Sequence, residues 1–346
     1  MRLLKVLFFG VAILLVTAIG VAFVLPSRVA TERSVVIDRP PSMVHAVVDS
    51  FALFNRWSPW ADLDPKTRYT YEGPERGVGA AMAWASDDPS VGSGRQTITA
   101  SVAPERVETA LDFGDFGTSE AALAITSDGD GSKVTWRFET ELPITLDGKF
   151  FFGVLGRWFG LTMADAIGAD YDKGLGKLKA LLEGMPRADI EGLQAVVQDV
   201  AAQPAYEVPG LSSGTDGASS SAVLGAAYGE IVALAQASNL KLAGPPYTVI
   251  RGHTGDQWRF DAGIPVDRND APPSGRLQAA QTFAGRAADF RHLGSYDTLG
   301  QTHAKAEAWL ATRGLAAGEP RMEIYVSDPM TTPVEQVVTL VRIPVR

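Results

Sequence analysis

An uncharged apolar run near the N-terminus constrains this chain more than any other feature. Val6 to Leu25 is twenty residues without a charge; it contains Phe8, Phe9, Ile13, Leu14, Leu15, Ile19 and Phe23, follows Arg2 and Lys5, and ends at Pro26. As an α-helix rising about 1.5 Å per residue it is about 30 Å long, the thickness of a bilayer's hydrocarbon core. A cleavable signal has an apolar region of about 7 to 15 residues and a small-x-small cleavage site, and Gly20 and Ala22 make a poor one. Residues 1–29 are read as a membrane anchor that crosses with residues 6–25, a cleaved signal being the alternative. Arg2 and Lys5 on one side balance Arg28 and Arg33 on the other, so charge does not orient the run. Long domains translocate with little regard for charge, so the body is placed on the periplasmic, extracytoplasmic side of an inner membrane as a single-pass protein.

At 346 residues the chain has room for two domains of ordinary size. It has no cysteine, which removes disulfide frameworks, thiolate metal sites and cysteine nucleophiles together. A net charge of −9 and the lack of any basic run argue against a nucleic-acid groove. The histidines, His45, His253, His292 and His303, have no H-x-x-x-H spacing, so neither a metal nor another cofactor is expected.

From Ala30 a strand leads into Arg39-Pro40-Pro41-Ser42, a helix start, and an amphipathic stretch from Met43 to Phe54. Strand-like segments follow at 69–72, 80–85, 96–102, 106–113, 120–127 and 133–142, separated by turn clusters such as Gly73-Pro74 and Ser127-Asp128-Gly129. In the last of them Val134, Trp136 and Phe138 alternate with Thr135, Arg137 and Glu139, giving one apolar and one wet face. The period then becomes helical from Trp158 to Leu182 and stops at Gly184-Met185-Pro186. One long helix over a curved antiparallel sheet fits this order. Residues 30–185 resemble the polyketide cyclase-like branch of the START-like (SRPBCC) superfamily, through Phe54-Asn55-Arg56-Trp57-Ser58-Pro59-Trp60, Gly77-Val78-Gly79 and the final helix. The resemblance implies a helix-grip fold with an apolar ligand pocket between helix and sheet. Most of Trp57, Trp60, Trp84, Phe113, Trp136, Phe138 and Trp158 are expected in the core, with Trp60 and Trp84 as pocket lining.

The second half repeats itself. A Ser/Gly-rich loop at 211–221, a helix to Ala237, Gly244-Pro245-Pro246 and strands ending Ile264-Pro265-Val266 are echoed by Leu293-Gly294-Ser295-Tyr296, a helix from about Thr298, Gly318-Glu319-Pro320 and strands ending Ile343-Pro344-Val345. Each half opens with one strand, at 194–206 and 278–293, so each reads as strand, helix, strand, strand. Two such units about a pseudo-two-fold form an α+β module with a cleft between them. Residues 189–346 resemble the GyrI-like effector-binding domain, through Phe290-Arg291-His292-Leu293-Gly294-Ser295-Tyr296-Asp297, Glu323-Ile324-Tyr325-Val326-Ser327-Asp328-Pro329, Thr332-Pro333-Val334-Glu335 and the closing Ile-Pro-Val. That family is associated with amphipathic, often cationic small molecules in an aromatic cleft holding an acidic residue, and some of its members hydrolyse reactive ligands. An aromatic face beside a carboxylate suits an organic cation. Glu323 and Tyr325 share one strand face, opposite Met322, Ile324 and Val326, and Trp258 adds an aromatic wall. Where many relatives carry a Glu four residues before the last Pro, this chain has Leu340; the matching place in the first half holds Asp261.

Gly210-Leu211-Ser212-Ser213-Gly214 fits G-x-S-x-G, but that motif needs a strand-to-helix elbow in a parallel sheet, so a flexible loop is expected there. No paired acid and base stands out. The expectation is a membrane-anchored protein with two modules that bind a hydrophobic or amphipathic small molecule and do no chemistry. Its site residues are Trp60 and Trp84 in the first module and Trp258, Asp261, Tyr296, Glu323 and Tyr325 in the second. An enzyme, cyclase-like or hydrolytic, and an envelope scaffold are the alternatives.

Overall fold

The apolar N-terminal run forms one unbroken helix, α1 (Arg2–Ala22). The structure is a computed structural model that describes residues 2–145, 149–214, 217–255 and 257–346. The chain divides into two compact units, Met1–Met185 and Pro186–Arg346.

After α1 the first unit lays down β1 (Arg28–Ile37), α2 (Pro41–Val48) and α3 (Phe54–Trp57). The strands β2 (Arg68–Glu72), β3 (Ala81–Ala85), β4 (Ser93–Val102), β5 (Arg106–Asp112), β6 (Thr118–Asp128) and β7 (Gly131–Glu141) follow, and α4 (Phe150–Glu183) closes the unit. The sheet is antiparallel in the order β1-β7-β6-β5-β4-β3-β2. The expected amphipathic stretch from Met43 to Phe54 is not one helix but two. At the break Asp49 accepts a hydrogen bond from the Ser101 hydroxyl at 2.6 Å, and the Ser50 hydroxyl donates to the Glu75 carbonyl at 2.9 Å. Such side chains compete with helical hydrogen bonding. His45 Nε2 sits 3.1 Å from the same Ser101 hydroxyl, and burial lowers the His45 pKa, partly offset by the Asp49 charge. With serine between histidine and aspartate, the order is wrong for a nucleophilic triad.

The long helix begins eight residues before the expected Trp158, because Phe150 to Arg157 holds no residue that would stop it. Its second half packs onto the sheet through aromatic rings. Trp136 of β7 stacks on Tyr171 of α4 with centroids 3.7 Å apart and planes 9° from parallel, and Trp57 meets Trp136 edge-on at 5.3 Å. All three are buried. Gly174 permits this approach, since a Cβ there would lie 2.8 Å from Trp136 Cζ3 and 3.0 Å from Pro59 Cδ.

The second unit is an eight-stranded sheet with two helices. Its strands are β8 (Ala195–Val200), β9 (Pro204–Gly214), β10 (Tyr247–Thr254), β11 (Gln257–Pro265), β12 (Gln278–Gln281), β13 (Gly285–Leu293), β14 (Arg321–Tyr325) and β15 (Val338–Pro344). Helix α5 (Gly217–Ala237) follows β9 and α6 (Leu299–Ala311) follows β13. The order β12-β9-β11-β10-β14-β15-β13-β8 is symmetric about the β10–β14 pair. Two sequence expectations are corrected here. Each half opens with two strands rather than one, broken at 201–203 and 282–284, and the first of each pair joins the other half: β8 pairs with β13 and β12 with β9. The G-x-S-x-G stretch is not a loop but the end of β9, with Ser212 opposite Arg259 and Ser213 opposite Trp258. Strand β11 supplies the backbone partners that the sequence alone did not reveal. Of the expected loop at 211–221, residues 217–221 are helical and Thr215 and Asp216 lie outside the described residues.

Two of the glycines of α4, Gly174 and Gly176, give opposite expectations. Gly174→Ala should destabilise the first unit by about 1–3 kcal/mol through overpacking against a fixed ring. Gly176→Ala, which meets nothing within 4 Å, should stabilise it by about 0.5–1 kcal/mol through helix propensity. Urea unfolding followed by tryptophan fluorescence measures both.

Candidate functional site

The cleft in the second unit follows from how its helices are placed. Helix α5 packs Ala227, Ile231 and Ala235 against Tyr206, Val208, Phe260 and Ile264 of β9 and β11. Helix α6 packs Ala306 and Leu310 against Ala288, Phe290, Val341 and Ile343 of β13 and β15. Each helix covers its own half, and the central strands β10 and β14 are left between them on that face. The result is a cavity of about 830 Å³, floored by Ile250, Glu323 and Tyr325 and walled by Leu224, Trp258, Tyr296 and His303.

Register decides what the floor presents. Thr248 stands opposite Glu323, and Ile250 opposite Arg321, so these side chains share the helix-covered face. Glu323 is buried, at 7% exposure, yet both of its oxygens are engaged. Oε1 lies 2.8 Å from His303 Nε2, and Oε2 accepts a hydrogen bond from the Tyr325 hydroxyl at 2.8 Å. The Tyr325 oxygen is also 3.2 Å from Thr248 Oγ1, and the Tyr296 ring meets the Tyr325 ring edge-on at 5.5 Å. Burial, then the Glu323 charge, raises the Tyr325 pKa well above its ordinary value. The same two causes raise Tyr228 and Tyr296. These phenols therefore stay neutral; Tyr325 donates to the carboxylate, and Tyr228 donates to the Tyr247 carbonyl at 3.1 Å. At the other end Trp258 lies over Phe260 with centroids 4.1 Å apart.

Trp258, Tyr296, Glu323 and Tyr325, singled out in the sequence, thus line one cavity. Asp261 does not: it stands opposite Val249, on the other face of the sheet. There its Oδ1 accepts the Gly210 N–H at 2.8 Å, at the bulge where Gly210 has φ +68°, and its Oδ2 accepts from Arg251 Nε at 2.6 Å. Its neighbour Glu207 accepts the Tyr247 hydroxyl at 2.7 Å, and burial raises the Glu207 pKa. Leu340 also faces away, packed with Met322 and Ile324. His303, Thr248 and Tyr228 were not anticipated. The signal for His303 was its place on α6, bordering the buried positions Leu299, Thr302 and Ala306. His292, in the family motif, has a structural partner set: Nε2 donates to the Ser295 carbonyl at 3.0 Å and Nδ1 faces the Thr302 hydroxyl at 2.8 Å.

In the first unit Trp60 and Trp84 are not brought together. Trp60 borders the aromatic stack, 6.0 Å from Trp136, and its Nε1 donates to Asp170 at 3.2 Å. Trp84 lies across β4 against Phe113 at 5.8 Å, an approach that Gly94 permits, since a Cβ there would be 2.5 Å from the indole.

Comparison with known proteins places both units. Residues 28–183 match the family model for polyketide cyclase / dehydrase and lipid transport proteins, and residues 202–346 match that for the GyrI-like small molecule binding domain. No curated protein matches the chain. Similar solved structures include the C-terminal domain of EcmrR, 17% identical with a TM-score of 0.39, covering 45% of this chain and 98% of that one. Another is a hydrolase from Listeria innocua, 14% identical with a TM-score of 0.35, covering 44% of this chain and 92% of that one. The chain therefore joins, in this order, a polyketide cyclase-like module and a GyrI-like small-molecule-binding module.

Proposed function

We propose that this protein is a non-catalytic small-molecule binder held at a membrane by residues 6–25, and that its second module takes an amphipathic organic cation in the Glu323 cleft. The observation that carries the reading is a buried carboxylate beside Tyr325 on the floor of a cavity walled by Trp258 and Tyr296. A cation held against aromatic faces is favoured by about 0.5 to 2 kcal/mol, more as it is desolvated, and a carboxylate adds charge pairing. Glu323 is held in place by His303 and Tyr325 before any ligand arrives, so little ordering is needed on binding. In the first module the Trp57–Trp136–Tyr171 stack occupies the space between helix and sheet; Trp60, at the border of that stack, and Trp84, beyond it, are proposed as separate contacts for an apolar ligand outside the filled space.

The anchor reading is supported by α1, uncharged on every side from Val6 to Ala22, with Phe8, Leu14 and Val16 exposed. A helix apolar all round belongs in a core or a bilayer. The periplasmic placement of both modules rests on the translocation argument above. A second reading, hydrolysis, is favoured by one feature, the hydrogen-bonded series His303–Glu323–Tyr325, which has the form of a positioned base.

Calorimetric titration of the full chain with benzyltrimethylammonium and with its neutral isostere neopentylbenzene tests the binding reading. The cation is expected to bind the more tightly, and Glu323→Gln to weaken it about tenfold, about 1.4 kcal/mol, while leaving the isostere unchanged. Equal affinity for the two would overturn the reading, and release of benzoate from the cationic ester benzoylcholine would favour hydrolysis. A second expectation concerns alkali. Tyr228 and Tyr325 have pKa values raised above 10, so their neutral forms contribute stability in full below pH 10 and lose it as pH climbs through the raised values. In ultraviolet titration the tyrosinate band should therefore rise in an early and a late stage, and Tyr325→Phe should shrink the late one.

A further inference from the structure

The first three turns of α4 present two opposite surfaces. Inward, Val154 is buried, and Gly153 and Gly160 let the helix lie against Pro143, Leu142 and Val29. Outward, Phe151, Phe152, Leu155, Phe159 and Leu161 are all more than half exposed. Between Lys149 and Asp165 the one charged residue is Arg157, and its guanidinium turns inward to donate to the Leu142 and Leu25 carbonyls, each at 2.5 Å. The outward face of this segment therefore carries no charge. From Asp165 onward the same helix carries Asp165, Asp170, Asp172, Lys173, Lys177 and Lys179. One helix thus changes its solvent preference partway along.

The change coincides with α1. Trp158 Nε1 donates to the Ala18 carbonyl at 3.2 Å, and the Phe150 ring lies 6.4 Å from that of Phe23. The apolar part of α4 thus sits beside the last turns of α1, and Phe116, 88% exposed, is drawn to the same end through the Asp115–Lys149 pair. Tryptophan collects where hydrocarbon meets headgroups, because its ring carries a polar N–H on an apolar body, and phenylalanine and leucine beside it supply the apolar face that an interfacial helix buries at the acyl boundary. We propose that residues 150–161 of α4 lie in the interfacial zone of the bilayer that holds α1, so that the polyketide cyclase-like module meets lipid through a helix of its own. This rests on the reading of residues 6–25 as an anchor. It adds a second membrane contact, on the helix that closes the module over its sheet.

The chain has no cysteine, so a single nitroxide can be placed at will. The full chain is reconstituted in phosphatidylcholine vesicles as Leu14→Cys, Phe152→Cys, Phe159→Cys or Ala169→Cys, and spin-label relaxation is measured with oxygen, which partitions into hydrocarbon, and with a water-soluble nickel chelate. The expected result is a several-fold higher oxygen-to-nickel ratio at 152 and 159 than at 169, and a deeper position at 14. If 14 lies in lipid while 152 and 159 match 169, the anchor stands and the interfacial contact is overturned. Exclusion of both reagents at 152 and 159, with dipolar broadening between copies, overturns it in favour of a protein covering. Nickel access at 14 overturns the anchor, and the interfacial contact with it.

Discussion

The second unit depends on the pairing of Tyr247–Ile250 with Arg321–Ile324, the seam between its two halves. These strands lie at the centre of the sheet but receive neither helix, because α5 and α6 are each committed to the outer strands of their own half. A hole over the middle is the geometric result. Parity along the seam then decides what fills its floor: with Thr248 opposite Glu323, the carboxylate faces the hole while Val249 and Met322 join Tyr247 and Ile324 in a separate apolar cluster behind it. A slip of one residue would exchange these two sets.

The first unit resolves a similar geometry differently. There α4 is drawn onto the sheet by a stacked Trp136–Tyr171 pair, with glycine at 174 to let the ring through. The two modules thus share the description of small-molecule-binding types while treating interior space in contrary ways. One fills it with aromatic rings; the other leaves it lined by them.

The sequence disclosed those parts of this architecture that are local. Alternation in Val134, Trp136 and Phe138 identified a half-buried strand, and the doubled Ile-Pro-Val endings identified the repeat. Glu323 and Tyr325 were legible as one face because they lie two apart on the same strand. What was not legible depends on partners distant in the chain. Asp261 looked like a substitute for the acid absent at Leu340, but only the pairing with Val249 shows that it belongs to the opposite face. The serines at 212 and 213 read as loop until β11 provided their ladder. His303 gave no metal-like spacing, and its nearness to Glu323 arises from a helix laid across a sheet rather than from any motif.

The exchange of edge strands has a consequence for how this unit is made. Strand β8 finds its neighbour only when residues near Phe290 exist, and β9 lacks its outer partner until Gln278–Gln281 has been synthesised. A chain emerging from the ribosome therefore carries unpaired strand edges through most of the repeat, and neither half can complete its sheet alone. The repeat that is so plain in the sequence does not confer folding autonomy on either half. In production the two halves form one indivisible unit, dominated by distant contacts of the kind that close slowly, and exposed edges must be kept from other chains until the closing Ile-Pro-Val arrives.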